Sequence, residues 1–93
     1  MRKVTMEIYK AFYLGIARSV GNTSTDGNAI YLHGNKIVER RNEREIWVSN
    51  AGWATVTTKD RLNAIAGVSI NQKRGQWYLN NEAWDGSWTK VVG

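Results

Sequence analysis

The side chains able to do acid–base or nucleophilic chemistry are few. His33 is the sole histidine. A hydrolytic role would require it to join a loop serine and a carboxylate, and no serine sits in a nucleophile elbow. Its plainer reading is a polar residue flanking a turn. With no cysteine and no second histidine, a zinc site lacks ligands. Glu82 and Asp85 would suit acid–base work on a glycosidic bond if held about 5 to 9 Å apart, but Asp85-Gly86 is already explained as a turn-forming pair. The glycines between 21 and 35 match neither phosphate-binding pattern. Asp26 is the only carboxylate in its loop, too few for a calcium site. These residues predict a protein that is not an enzyme, with no catalytic residue, no cofactor and no metal.

Contact chemistry is better represented. Five tryptophans lie between positions 47 and 88 of a 93-residue chain. Each indole carries a large apolar area and an N–H that wants an acceptor. A domain of this size hides roughly two or three of them, so the remainder must cover a sheet face or meet a partner. Lys73 and Arg74 immediately precede Trp77 and Tyr78, and Arg40, Arg41 and Arg44 cluster near a hairpin tip. Lys59 and Arg61 share a short helix. Cations beside aromatic rings suit nucleic acid, because cations meet phosphates and rings stack on bases. The net charge of +5 agrees, although it also serves solubility. Glu39, Glu43 and Glu45 offset the first cluster, and Arg40 is expected to face Glu45 across two strands. Two partner classes therefore stay open. One is nucleic acid at Lys73, Arg74, Trp77 and Tyr78. The other is a host protein gripped by exposed Trp53, Trp84 or Trp88.

The chain contains no proline, so glycine and asparagine supply the turns. Val4, Ile8, Phe12 and Ile16 recur every four positions and predict a helix over 5–19, with Thr5 as N-cap and Gly21 as its stop. From 28 to 49 the period becomes two. A hairpin turning at Gly34-Asn35 would pair Leu32 with Ile37 and Tyr31 with Val38. A further turn at Asn42-Glu43 would set Val38 against Trp47 and Ile37 against Val48. A short helix is expected over 58–66, capped by Thr57 with Asp60. The remainder reads as strands turning at Lys73-Arg74-Gly75, Asn80-Asn81 and Asp85-Gly86. The result is one domain over 1–93, α+β in class and ordered α-β-β-β-α-β-β-β, with helices packed on an antiparallel sheet. A sheet face left uncovered would favour a homodimer. No apolar run is long enough to span a membrane, and the first residues lack the features of a secretion signal.

The stretches Asn22-Thr23-Ser24-Thr25-Asp26-Gly27, Tyr31-Leu32-His33-Gly34-Asn35, Asn50-Ala51-Gly52-Trp53, Thr57-Thr58-Lys59-Asp60-Arg61-Leu62-Asn63, Trp77-Tyr78-Leu79-Asn80 and Trp84-Asp85-Gly86 resemble a family of small proteins encoded by tailed bacteriophages. The likeness runs over most of residues 8–90. It implies a phage origin and expression in the host bacterial cytoplasm. It implies no activity, cofactor or catalytic residue. Residues 39–44 are more charged here than that pattern.

Overall fold

The computed structural model describes residues 3–92. Helix α1 spans Lys3–Leu14 and buries Thr5, Ile8, Ala11 and Phe12, an inward stripe at helical spacing. It stops five residues before the expected end. Gly15 takes a φ of +72°, its N–H donates to the Phe12 carbonyl at 3.2 Å, and the Ile16 N–H donates to the Ala11 carbonyl at 3.0 Å. This pair of bonds is the Schellman stop, which requires a left-handed residue that glycine supplies without a Cβ clash. Gly15 thus ends the helix, and Gly21 lies instead in a hairpin turn. Thr5 is not a cap but an interior residue of α1.

The residues after α1 form a hairpin that the apolar pattern does not announce, β1 (Arg18–Val20) and β2 (Thr23–Thr25). Its inward positions are hydroxyl residues. Thr23 and Thr25 are buried, and the Thr25 hydroxyl donates to the Ala29 carbonyl at 2.6 Å. Strands β3 (Ala29–Leu32), β4 (Asn35–Arg40) and β5 (Ile46–Val48) follow as an antiparallel meander. The turn falls at His33-Gly34, one residue earlier than expected, so Leu32 faces Asn35 and Tyr31 faces Lys36. A bulge between Ile30 and Tyr31 leaves Ile37 as the extra residue on β4. Ile37 and its neighbour Val38 are consequently both fully enclosed. Val38 then pairs with Val48, Glu39 with Trp47, and Arg40 with Ile46. The one-residue slip puts Trp47 on the outer face and overturns the expected pairs Val38–Trp47, Ile37–Val48 and Arg40–Glu45.

Helix α2 runs over Val56–Leu62 rather than 58–66. Its cap is Thr55, whose hydroxyl accepts from the Thr58 N–H at 3.2 Å, not Thr57. Leu62 and Ile65 point inward as expected. Strands β6 (Ile70–Lys73), β7 (Gln76–Leu79) and β8 (Glu82–Ala83) make a small sheet of their own. Strand β9 (Thr89–Val92) leaves it and pairs with β5, giving a main sheet ordered β1-β2-β3-β4-β5-β9. The fold is α+β, with the inner faces of both sheets, α1 and α2 closing over one apolar cluster.

Two arginines read from the sequence as surface cations are structural. Arg61 is only 5% exposed. Its Nε donates to the Thr23 hydroxyl at 2.9 Å, and its Nη1 donates to the Thr5 hydroxyl at 2.7 Å and to Asp60 at 2.9 Å. Arg40 donates to the Gly27 and Phe12 carbonyls at 2.7 and 3.1 Å, and its guanidinium lies 4.2 Å from the Phe12 ring centre. A cation there suits the negative end of α1.

Candidate contact surface

Strand parity decides the fate of each aromatic side chain on β7. Trp77 and Leu79 share the inner face and are buried, whereas Gln76 and Tyr78 share the outer one. Trp77 therefore belongs to the core, not to a surface beside Lys73 and Arg74. Its indole N–H is enclosed with no acceptor among the described residues. Trp84 is buried too, at 7% exposure, with its ring centre 6.3 Å from that of Trp77. Its N–H donates to the Ser87 carbonyl and the Thr89 hydroxyl, both at 3.0 Å. Each expectation is corrected for its own reason: strand parity turns Trp77 inward with Leu79, and Trp84 finds acceptors inside.

Trp88 is half-buried and shares a cation with Trp47. The Arg41 guanidinium lies 3.9 Å from the Trp47 ring centre and 5.7 Å from that of Trp88. Arg41 also reaches Glu39 at 3.0 Å, and the Trp47 N–H donates to Glu45 at 3.0 Å. That indole N–H is the leading reason the Glu45 carboxyl stays below its ordinary range, and the Arg41 bond does the same for Glu39. The sequence cluster Arg40, Arg41 and Arg44 is thus divided. Arg40 caps α1, Arg41 stacks on indoles, and Arg44 extends to solvent.

Trp53 is different. It is 51% exposed. It is also carried on a loop whose backbone N–H groups from Ser49 to Trp53 are all engaged. The Ser49 hydroxyl donates to the Gly86 carbonyl at 2.8 Å and accepts from the Ala51 N–H at 3.1 Å. The Asn50 N–H donates to the same Gly86 carbonyl at 3.1 Å, and the Asn50 side chain accepts from the Gly52 N–H at 2.9 Å. The Trp53 N–H donates to the Asn50 carbonyl at 2.8 Å. Ser49 and Asn50 are buried. Ala51 holds a φ of +54°, a left-handed conformation costly for a residue with a Cβ and typical of places where the surroundings over-determine the backbone. The backbone that carries the exposed indole is therefore held in place. Beside it a recess of about 200 Å³ is lined by Leu32, His33, Trp53, Thr55 and Thr57. His33 sits on its rim, with Nε2 3.5 Å from the Asn22 amide nitrogen.

Lys73 and Arg74 stand exposed at the β6–β7 turn and make no ion pair among the described residues. Tyr78 lies opposite Asn71 and Ala83 on the outer face of the small sheet. Glu82 and Asp85, singled out as an acid–base pair, line one open cleft of about 470 Å³ with Gln76 and Ser87. The Asp85 carboxyl is held below its ordinary range first by the Ser87 hydroxyl, then by the Ser87 N–H.

A family model described as Kyanoviridae Gp96 protein matches residues 1–91. The chain belongs to this family of bacteriophage proteins. Membership of the Kyanoviridae Gp96 family accounts for the phage-like stretches quoted above, and the match extends beyond them at both ends. No curated protein and no solved structure matches the chain. Among the described residues no helix is long and apolar enough to cross a membrane. The bracing of Trp53 by Ser49, Asn50 and Gly86 was missed in the sequence. Its only trace there is the pair of turn signals Asn50-Ala51-Gly52 and Asp85-Gly86, which give no hint that they touch.

Proposed function

We propose that this phage protein is a non-catalytic accessory protein. It acts in the host bacterial cytoplasm by gripping a host or phage protein, with Trp53 as the anchor. An inhibitor that blocks a bacterial immune component is one form such a partner contact takes. The observation that carries this reading is an indole left half in water on a loop whose geometry is fixed by buried hydrogen bonds. Tryptophans in that position dominate interface energies, and a rigid presentation lowers the ordering cost of binding. The surroundings agree with a protein partner. Val56 is 66% exposed nearby in sequence, and neither lysine nor arginine lines the recess beside Trp53.

The test is affinity capture from nuclease-treated host lysate with wild-type protein and Trp53→Ala. Wild type is expected to retain a stoichiometric protein. Trp53→Ala is expected to weaken its capture by about 30-fold or more, which corresponds to a loss of at least about 2 kcal/mol at a hot spot. Its thermal midpoint should stay close to wild type, because a surface truncation costs within about 0.5 kcal/mol. Equal capture by both proteins would discard Trp53 as the anchor.

Nucleic acid is a second reading, and one observation favours it. Lys73 and Arg74 are exposed cations without an ion pair among the described residues, at the end of a sheet whose outer face presents Tyr78. Fluorescence anisotropy with a labelled single-stranded oligonucleotide decides this. Binding should fall steeply between 50 and 200 mM salt. The double reversal Lys73→Glu with Arg74→Glu should reduce affinity by about tenfold or more at the lower salt, at about 1 kcal/mol or slightly less per phosphate contact. Absence of binding at low salt removes this reading and leaves the Trp53 anchor untouched.

A further inference from the structure

The main sheet has two edges, and they are not alike. At one edge, β9 meets β5 with a register shift between Ile46 and Trp47, and it carries Lys90 in its middle. Irregular pairing and a central lysine are ordinary guards against further strand addition. The other edge is β1. It pairs with β2 without irregularity, the chain has no proline to block it, and Arg18 and Ser19 are exposed. A two-residue turn at Gly21-Asn22 makes Val20 and Thr23 the closing hydrogen-bonded pair. Alternation along the ladder then turns the N–H and C=O of Ser19 away from β2, toward open solvent.

A groove of about 290 Å³ runs beside this edge, between α1 and the start of β1. Ala11, Leu14 and Ile16 make its apolar part, with Leu14 63% and Ile16 52% exposed. Glu7, Lys10 and Arg18 make its charged part. Arg18 has Glu7 at 3.6 Å, and Lys10 has no ion-pair partner among the described residues. Ile16 lies just before the first residue of β1, beside Arg18 in the lining of the groove.

We infer that β1 is an acceptor edge for an extended segment of a partner protein that carries an acidic residue and an apolar residue. The backbone of that segment exchanges hydrogen bonds with Ser19. Its acidic side chain meets Arg18 and Lys10, and its apolar side chain covers Ile16 and Leu14. Strand addition of this kind takes affinity from the main chain and selectivity from alternate side chains. The residues that line this groove are not those that line the Trp53 recess, so either assignment stands or falls alone.

The test is panning of a displayed library of random heptapeptides on wild-type protein, with counter-selection on Ser19→Pro. That substitution removes a donor pointing to solvent, and circular dichroism should show the fold retained. Leu14→Glu, at an exposed position, is a second variant that leaves the backbone edge intact. Enriched peptides are expected to carry both an acidic and an apolar residue. Lys10→Glu should weaken them at least tenfold, Ser19→Pro and Leu14→Glu should abolish binding, and Trp53→Ala should leave it unchanged. The inference is overturned if nothing enriches above an unrelated control protein. It is also overturned if the survivors are basic, or if they bind Ser19→Pro as well as wild type. Sedimentation showing a doubled mass that Ser19→Pro returns to the monomer would overturn it as well, assigning the edge to a second copy.

Discussion

Replacing Arg61 with alanine should destabilise the domain by about 3 to 5 kcal/mol, the usual result of removing one member of a buried charged network. Small domains have a total stability of about 5 to 15 kcal/mol, so much of the margin would go. The reason lies in what Arg61 joins. Its guanidinium bonds Thr5 on α1, Thr23 on β2 and Asp60 beside it on α2. The Thr5 hydroxyl in turn donates to Asp60. Removal takes one bond each from two buried hydroxyls and from the Asp60 carboxylate, at the meeting point of three elements. Asp60 keeps 21% of its side chain in solvent, which places the cost toward the lower end of that range. Urea unfolding followed by tryptophan fluorescence would measure it. Arg61→Lys should fall between, since an ammonium cannot span the two hydroxyls as a planar fork does. A cost below about 1 kcal/mol, the range of exposed ion pairs, would mean that the network adds nothing.

The second large effect is expected at Gly86. A methyl group there would overlap the buried side chain of Asn50, and the backbone φ of +89° is one that residues with a Cβ resist. Overpacking and backbone strain together suggest a loss of about 2 to 4 kcal/mol for Gly86→Ala. The distinctive consequence is local. Asn50 braces the loop that presents Trp53, so amide exchange at Ala51 and Gly52 should accelerate and capture of the protein partner should weaken. Gly52→Ala is the control. Its φ is +83°, but a Cβ there meets nothing within 4 Å, so it should cost only about 1 kcal/mol. If Gly86→Ala unfolds no more easily than Gly52→Ala, Asn50 has room to yield and does not fix the loop.

Much of the second half of the molecule was legible in the sequence. The turns at Arg74-Gly75, Asn80-Asn81 and Asp85-Gly86 are written in residues that tolerate unusual backbone angles, and the strands fall between them. The inward parity of Trp77 with Leu79 was also there to be read. The β1–β2 hairpin was not, because Thr23 and Thr25 fill the positions where apolar alternation would normally signal a strand. The slip along β3 and β4 arose because His33-Gly34 and Gly34-Asn35 are equally good turns one residue apart. The bulge that lets both Ile37 and Val38 face inward has no local signature at all. Charge was the least informative property. Arg40 and Arg61 look like surface cations in the chain, yet they satisfy carbonyls and hydroxyls inside it. For the candidate site, the sequence named Trp53 among several tryptophans, but only contacts distant in the chain distinguish it from Trp84.

The pairing of β9 with β5 has a consequence for how the domain assembles. Strands β1 to β5 are joined by short connections and can zip locally, but β5 must wait for a segment beginning at Thr89. Closing so long a loop carries an entropic cost that only the last contacts repay. The rate-limiting event in refolding should therefore be the docking of β9, with the α2 region and the small sheet already gathered between its two halves. Until that moment the free flank of β5 is where the nascent domain is most open to mispairing with its neighbours.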